Sequence, residues 1–207
     1  MSFGQDGSYS AEAIVTRCNA ELANSFGNLV QRVLSMISKN LDGDLSQLPD
    51  DLSENFISLD GELPALPNSS DEGFTSALIK RECKRALEEF GRLAFSQGLE
   101  IWIQQVFECN KWIDKTAPWA LYKSDFQEMK NVLAQLFLAI RDLAITLLPV
   151  APTAMSVLLD HMGALKNERD FKALSDEKWY ENLRASGFRL APPTPIFPRL
   201  EMPADEV

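Results

Sequence analysis

Histidine is nearly absent from this sequence: His161 is the only one. That excludes a metal site built from several imidazoles and leaves no serine or cysteine with a nearby histidine-based activating partner. His161 itself reads as a surface helix residue. Cysteine is scarce as well. Cys18, Cys83 and Cys109 are odd in number, far apart and each set within a helical pattern, which suggests neither a disulfide framework nor zinc ligation and fits a reducing cytoplasm. The glycines stand singly, so there is neither a G-x-x-x-x-G-K-[ST] phosphate loop nor a G-x-G-x-x-G dinucleotide fingerprint. Acidic pairs such as Asp50-Asp51 and Asp71-Glu72 fall in a polar connection and at a helix start, where carboxylates are solvated or capping rather than metal-binding. No apolar run is long enough to cross a bilayer, and Met1-Ser2-Phe3-Gly4-Gln5-Asp6-Gly7 has no charged-then-apolar signal pattern. The expectation is a soluble, cytoplasmic protein with no membrane partner.

Positive charge is also in deficit, with 20 Lys and Arg against 30 Asp and Glu and a net charge of -10. Non-specific nucleic-acid affinity comes from neutralising phosphates, so generic phosphate binding is disfavoured. The cations are nevertheless uneven. Lys80, Arg81, Lys84, Arg85 and Arg92 cluster in one helical stretch, and Lys111, Lys115 and Lys123 surround a second candidate surface. A small nucleic-acid contact stays open.

What is present is a core. At 207 residues and 45% hydrophobic content, the chain is long enough for one globular domain over 1–207. Val15, Cys18, Leu22, Phe26, Leu29, Val33 and Ile37 recur every three or four positions, which predicts a helix over 10–40 with one core-facing stripe. Pro49, Pro64, Pro67 and the Asp-Gly pairs at 42–43 and 60–61 make 41–70 a long surface connection. A helical bundle follows over 71–187. Ser70 or Asp71 would cap its first helix, Pro118 would end its second, and Asp125 would cap a long helix stopped by Pro149. Trp102, Phe107 and Leu136 are expected in the core. From 188 to 207 the chain is too proline-rich for helix, yet Ile196, Phe197 and Leu200 invite it to fold back as an extended segment. No strand alternation or repeat stands out. The fold class is all-α, a bundle of about five to seven helices with an extended C-terminal segment.

Asn24, Asn28 and Arg32 are spaced four apart on the first helix and form one polar row beside its apolar stripe. Asparagine offers donor and acceptor together, and the arginine fork offers several rigid donors. With an aromatic such as Trp119 nearby, such a row is able to read the edges of unstacked bases. Spacing alone also fits a solvated face of an amphipathic helix.

Three segments break that tie: Asn19 to Arg32 (NAELANSFGNLVQR), Asn110 to Trp119 (NKWIDKTAPW) and Pro195 to Glu201 (PIFPRLE). They resemble, in order, signatures of the C-terminal region of the methionyl-tRNA synthetases, and the likeness includes Ile101-Trp102 and the Leu147-Leu148-Pro149 helix end. It covers the chain apart from 41–70. The resemblance implies an α-helical domain that binds the CAU anticodon of methionine tRNA, with Trp119 stacking on the first anticodon base and Asn28 and Arg32 reading base edges. Asn24 and Pro118 would support them. Asn110 and Asp114 would orient the recognition helix, and Lys115 and Lys123 are candidate phosphate contacts. The family's HIGH and KMSKS signatures and its zinc-knuckle cysteines are absent from this sequence. The resemblance therefore implies no catalysis by this chain alone, no metal and no cofactor here, with ATP and methionine bound by a separate catalytic half. The opening Phe3 to Ser10 resembles a segment that follows that half, which suggests a fragment of a longer protein, with a naturally split subunit as the alternative. The returning tail is expected to fix domain orientation rather than join the anticodon surface. The competing reading is a helical docking or protein-interaction module. It gains if Asn28, Arg32 and Trp119 are buried or face apart.

Overall fold

In the computed structural model, residues 9–50, 52, 75–176 and 178–202 are described. The expected connection over 53–70, the opening to residue 8 and the proposed caps Ser70 and Asp71 lie outside them. The described residues form helices without any regular strand.

The first helix begins at Ser10, whose hydroxyl accepts the Ala13 N–H at 3.2 Å. It runs as α1 (Ala11–Arg17), a π-helical stretch (Cys18–Gly27) and α2 (Asn28–Asn40). The expected helix over 10–40 is therefore one rod whose middle is wider, with i→i+5 bonding. Its apolar stripe of Phe26, Leu29, Val33 and Ile37 is fully buried. Phe26 meets Trp102 edge to face at 5.1 Å between ring centroids.

Immediately beyond α2 the sequence reading needs correcting. The stretch 41–52 is not simply a surface connection, because Leu41, Leu45, Leu48 and Leu52 are buried. Asp42 and Gly43 take positive φ (52° and 67°), which turns the chain back onto the bundle. Leu190 donates its N–H to the Gly43 carbonyl at 2.8 Å. A β-carbon at Gly43 would come within 2.1 Å of the Leu190 carbonyl oxygen, so glycine is required for this close crossing.

The next helix, α3 (Ser76–Gly91), is capped by Thr75, whose hydroxyl accepts the Leu78 N–H, and not by Ser70 or Asp71 as the sequence suggested. The arginines of its basic run are paired locally, Arg81 and Arg85 with Glu82 and Arg92 with Glu89. The fourth helix, α4 (Phe95–Thr116), buries Trp102, Ile103, Val106, Cys109 and Ile113. Phe107, expected in the core, is instead 45% exposed. It lies one residue past Val106, about 100° around the helix and off the buried stripe. Three shorter helices are α5 (Pro118–Ser124), α7 (Pro152–His161) and α8 (Trp179–Ala185).

The centre of the bundle is α6 (Phe126–Leu147), capped by the Asp125 carboxylate and buried from Met129 to Leu147 on almost every side. It packs against α2, α3, α4, α5 and α7. Trp102 donates its indole N–H to the Leu143 carbonyl at 2.9 Å, fixing α4 on α6. Arg141 and Asp142, both 1% exposed, lie within this core. Arg141 bonds Asp142 at 3.1 Å and the Ala173 carbonyl at 2.8 Å, and its guanidinium carbon sits 4.4 Å from the Trp179 ring centroid. Burial pushes the Asp142 carboxyl up to about 6 and lowers Arg141.

Candidate nucleic-acid interface

The rod α1–α2 and the α4–α5 corner meet where the polar row emerges. Pro118 disfavours helical backbone in the residue before it, and Ala117 takes a left-handed conformation (φ 45°, ψ 58°) that ends α4 and begins α5. Its N–H still closes the last turn of α4 by bonding Ile113 O at 3.0 Å. Pro118 is buried at the first position of α5, where a missing N–H costs nothing. The corner therefore holds Trp119 out from the bundle, 50% exposed.

Arg32, on α2, reaches this indole. Its guanidinium carbon is 5.1 Å from the Trp119 ring centroid, a cation–π distance. Asp114, one turn before Ala117 on α4, accepts from Arg32 Nη2 at 2.7 Å. Arg32 is thus held from two sides while its side chain keeps 27% of its exposure and Asp114 keeps 65%. Asn110, one turn earlier on α4, donates to Val106 O at 3.0 Å and to Ser25 O at 3.4 Å. It braces the π-helical stretch against α4. Lys115 and Lys123 are exposed near the same corner.

Asn24 and Asn28 are both exposed and line a cleft of about 380 Å³ with Ala23, Gly27, Gln31, Pro195, Ile196 and Phe197. Four-residue spacing thus brings the two asparagines to one surface, while Arg32 leans one turn further toward Trp119. The far wall of the cleft is the C-terminal segment, so the tail touches the polar row it was expected to stay apart from. Arg199 donates from Nε and Nη2 to Asn24 Oδ1 at 3.2 and 3.0 Å. Gln31 donates to Pro193 O at 3.3 Å. Ile196 and Phe197 pack on the core, but Leu200, expected buried, is 45% exposed. Its backbone is the anchored part, because the Asn19 amide both donates to and accepts from the Leu200 peptide groups at 2.9 and 2.8 Å. Arg199 was overlooked as a site residue although it is the only cation in the Pro195–Glu201 signature. His161 is partly exposed, with Nε2 3.0 Å from Ala191 O.

No protein-family model matches the chain. Individual proteins do. Over 203 residues it is 36% identical to the methionine–tRNA ligase of Rhizobium meliloti, covering 98% of this chain and 35% of that protein. The methionine–tRNA ligase of Mycobacterium leprae is 36% identical over 208 residues, covering 97% of this chain and 34% of that one. Its homologues are methionyl-tRNA synthetases. The crystal structure of free Mycobacterium tuberculosis methionyl-tRNA synthetase matches with a TM-score of 0.75 at 32% identity, over 98% of this chain and 37% of that one. The same enzyme bound by methionyl-adenylate matches with a TM-score of 0.73 at 32% identity, over 96% and 35%. The chain therefore spans about a third of the length of the methionyl-tRNA synthetases it matches. Among the described residues, no helix is long and apolar enough to cross a membrane.

Proposed function

We propose that this chain is the C-terminal anticodon-binding part of a cytoplasmic methionyl-tRNA synthetase and recognises the CAU anticodon of methionine tRNA. The observation that carries this reading is the convergence of Arg32 on a half-exposed Trp119, with the guanidinium carbon 5.1 Å from the ring. Stacking needs an indole with an open face, and edge reading needs donors held in fixed directions; a pre-bound arginine supplies them at small entropic cost. The first anticodon base stacks on Trp119. Arg32, oriented by Asp114, offers its remaining N–H groups to that base edge, and Asn28 and Asn24 meet the next base in the adjoining cleft. Pro118 holds the corner, Asn110 braces the helix, and Lys115 and Lys123 take phosphates.

No bond is made or broken at this surface. The catalytic half of the parent enzyme is the partner that binds ATP, methionine and the acceptor end of the tRNA. Recognition through a few base contacts is compatible with a net charge of -10, because base contacts specify while phosphate contacts mainly set affinity.

A titration of the chain with a CAU anticodon stem-loop against one changed at its first base tests this. The cognate loop should bind about tenfold more tightly or better, since a mismatched edge leaves desolvated donors without partners. Equal affinity for the two loops would favour the helical docking module instead.

A further inference from the structure

We infer that Arg199, from the C-terminal segment, is a positioning residue that locks the Asn24 side-chain amide with its NH2 group facing the cleft. Two guanidinium nitrogens lie 3.2 and 3.0 Å from Asn24 Oδ1. Arginine has five donors and no acceptor, so the atom facing it has to be the amide oxygen. The ambiguity that normally attends an asparagine amide is removed by the chemistry of its partner. Asn24 is left with the two N–H donors of Nδ2, and the cleft it lines is offered a donor rather than an acceptor on that side. Asn28, one turn on, makes no side-chain hydrogen bond among the described residues and keeps both capacities.

The lock is built rather than incidental. The Asn19 amide grips both peptide groups of Leu200 at 2.8 and 2.9 Å, which fixes the backbone of the residue next to Arg199. Two residues before Arg199, Phe197 packs against the fully buried Phe26 with ring centroids 6.5 Å apart. Gln31 holds Pro193 O. The tail is thus tied to the π-helical stretch and α2 at several points, and Arg199 is the one tie that ends on a candidate reading side chain. The segment forms a wall of the recognition surface and selects, through Asn24, for a hydrogen-bond acceptor on the base edge that enters the cleft.

This inference rests on the anticodon-binding reading, and its test keeps the two separable. The wild-type chain, Arg199→Met, Arg199→Lys, Asn24→Ala and the double variant Asn24→Ala with Arg199→Met are titrated with the CAU stem-loop and with loops changed at single bases. Thermal melts show which variants remain folded. Loss of Arg199 should weaken cognate binding by about three- to tenfold, the size of one ordinary hydrogen bond. It should also relax discrimination at one anticodon position only, with partial rescue by lysine. On the Asn24→Ala background the same change should do nothing more. A full extra loss on that background, equal for every loop, would mean direct phosphate contact and overturn the inference. So would unchanged affinity and discrimination in a folded Arg199→Met chain. If the wild-type chain binds no stem-loop, the functional reading fails. The lock is then read from the Arg199 Nε–H resonance, which donates to Asn24 Oδ1 and should exchange slowly in wild type and faster in Asn24→Ala. Identical Nε–H exchange in the two chains would overturn it.

Discussion

The molecule contains the same three-residue arrangement twice. In the core, Arg141 pairs with Asp142 and lies over Trp179; at the surface, Arg32 pairs with Asp114 and lies over Trp119. Distances are similar, at 3.1 against 2.7 Å for the ion pairs and 4.4 against 5.1 Å from guanidinium carbon to ring. Burial differs completely: the inner pair is 1% and 1% exposed, the outer 27% and 65%. Inside, each charge has lost its water and depends on its partner, so the arrangement serves only to hold α6, the 171–175 turn and α8 together. Outside, water satisfies both charges and the pair adds little stability, which leaves the donors and the open indole available to a ligand.

The comparison is broken most severely by cutting the inner pair. Arg141→Met removes the partner of a buried carboxylate and the bond to Ala173 O, and should cost about 3 to 5 kcal/mol in chemical denaturation. Replacing both charges, with Asp142→Leu added, should restore much of that loss, because well-packed apolar side chains need no hydration.

A pH experiment sharpens the same contrast. The folded Asp142 carboxyl titrates near 6, raised by burial above its unfolded value near 4. The folded state therefore favours the protonated form. The contribution of this group is fully present below about pH 4 and is lost as pH rises through about 6. The melting temperature of wild type relative to Asp142→Asn should fall between those limits and stay level on either side of them.

At the surface the effects move from stability to binding. Arg32→Met should change stability by less than about 1 kcal/mol, yet lower affinity for the CAU stem-loop by about tenfold or more by removing the fork proposed to read the base edge. Asp114→Asn is the smallest perturbation. It keeps an acceptor near Arg32, and should shift the denaturation midpoint by no more than a few tenths of a kcal/mol. A loss at Asp114 comparable with that at Arg141 would show that the outer pair is desolvated after all.

Much of this was legible in one dimension. The stripe from Phe26 to Ile37, the Asp125 cap and the turn forced by Pro118 are local consequences of side-chain periodicity, a carboxylate beside free N–H groups and a fixed proline ring. Trp102 and Leu136 could be assigned to the core by the same logic. Phe107 could not, because a residue at the margin of a helical stripe is buried or exposed according to what the next helix covers. The buried leucines after α2 were concealed by proline and aspartate neighbours that read as a loop. Their burial depends on α8 and the tail, more than a hundred residues away.

By itself, then, the sequence determined which stretches are helical, several of their ends, such as the Asp125 cap and the stop before Pro118, and that Asn24, Asn28 and Arg32 fall along one side of the first rod. Those are interactions among residues a few positions apart, and their geometry is set by backbone hydrogen bonding and steric limits. The tertiary structure alone decided that Trp119 meets Arg32, that Asp114 holds it, and that Arg199 reaches Asn24 across 175 residues of sequence. Contacts of that kind depend on how buried faces of separate helices interlock around α6, and no local pattern encodes the angle at which two such faces come together.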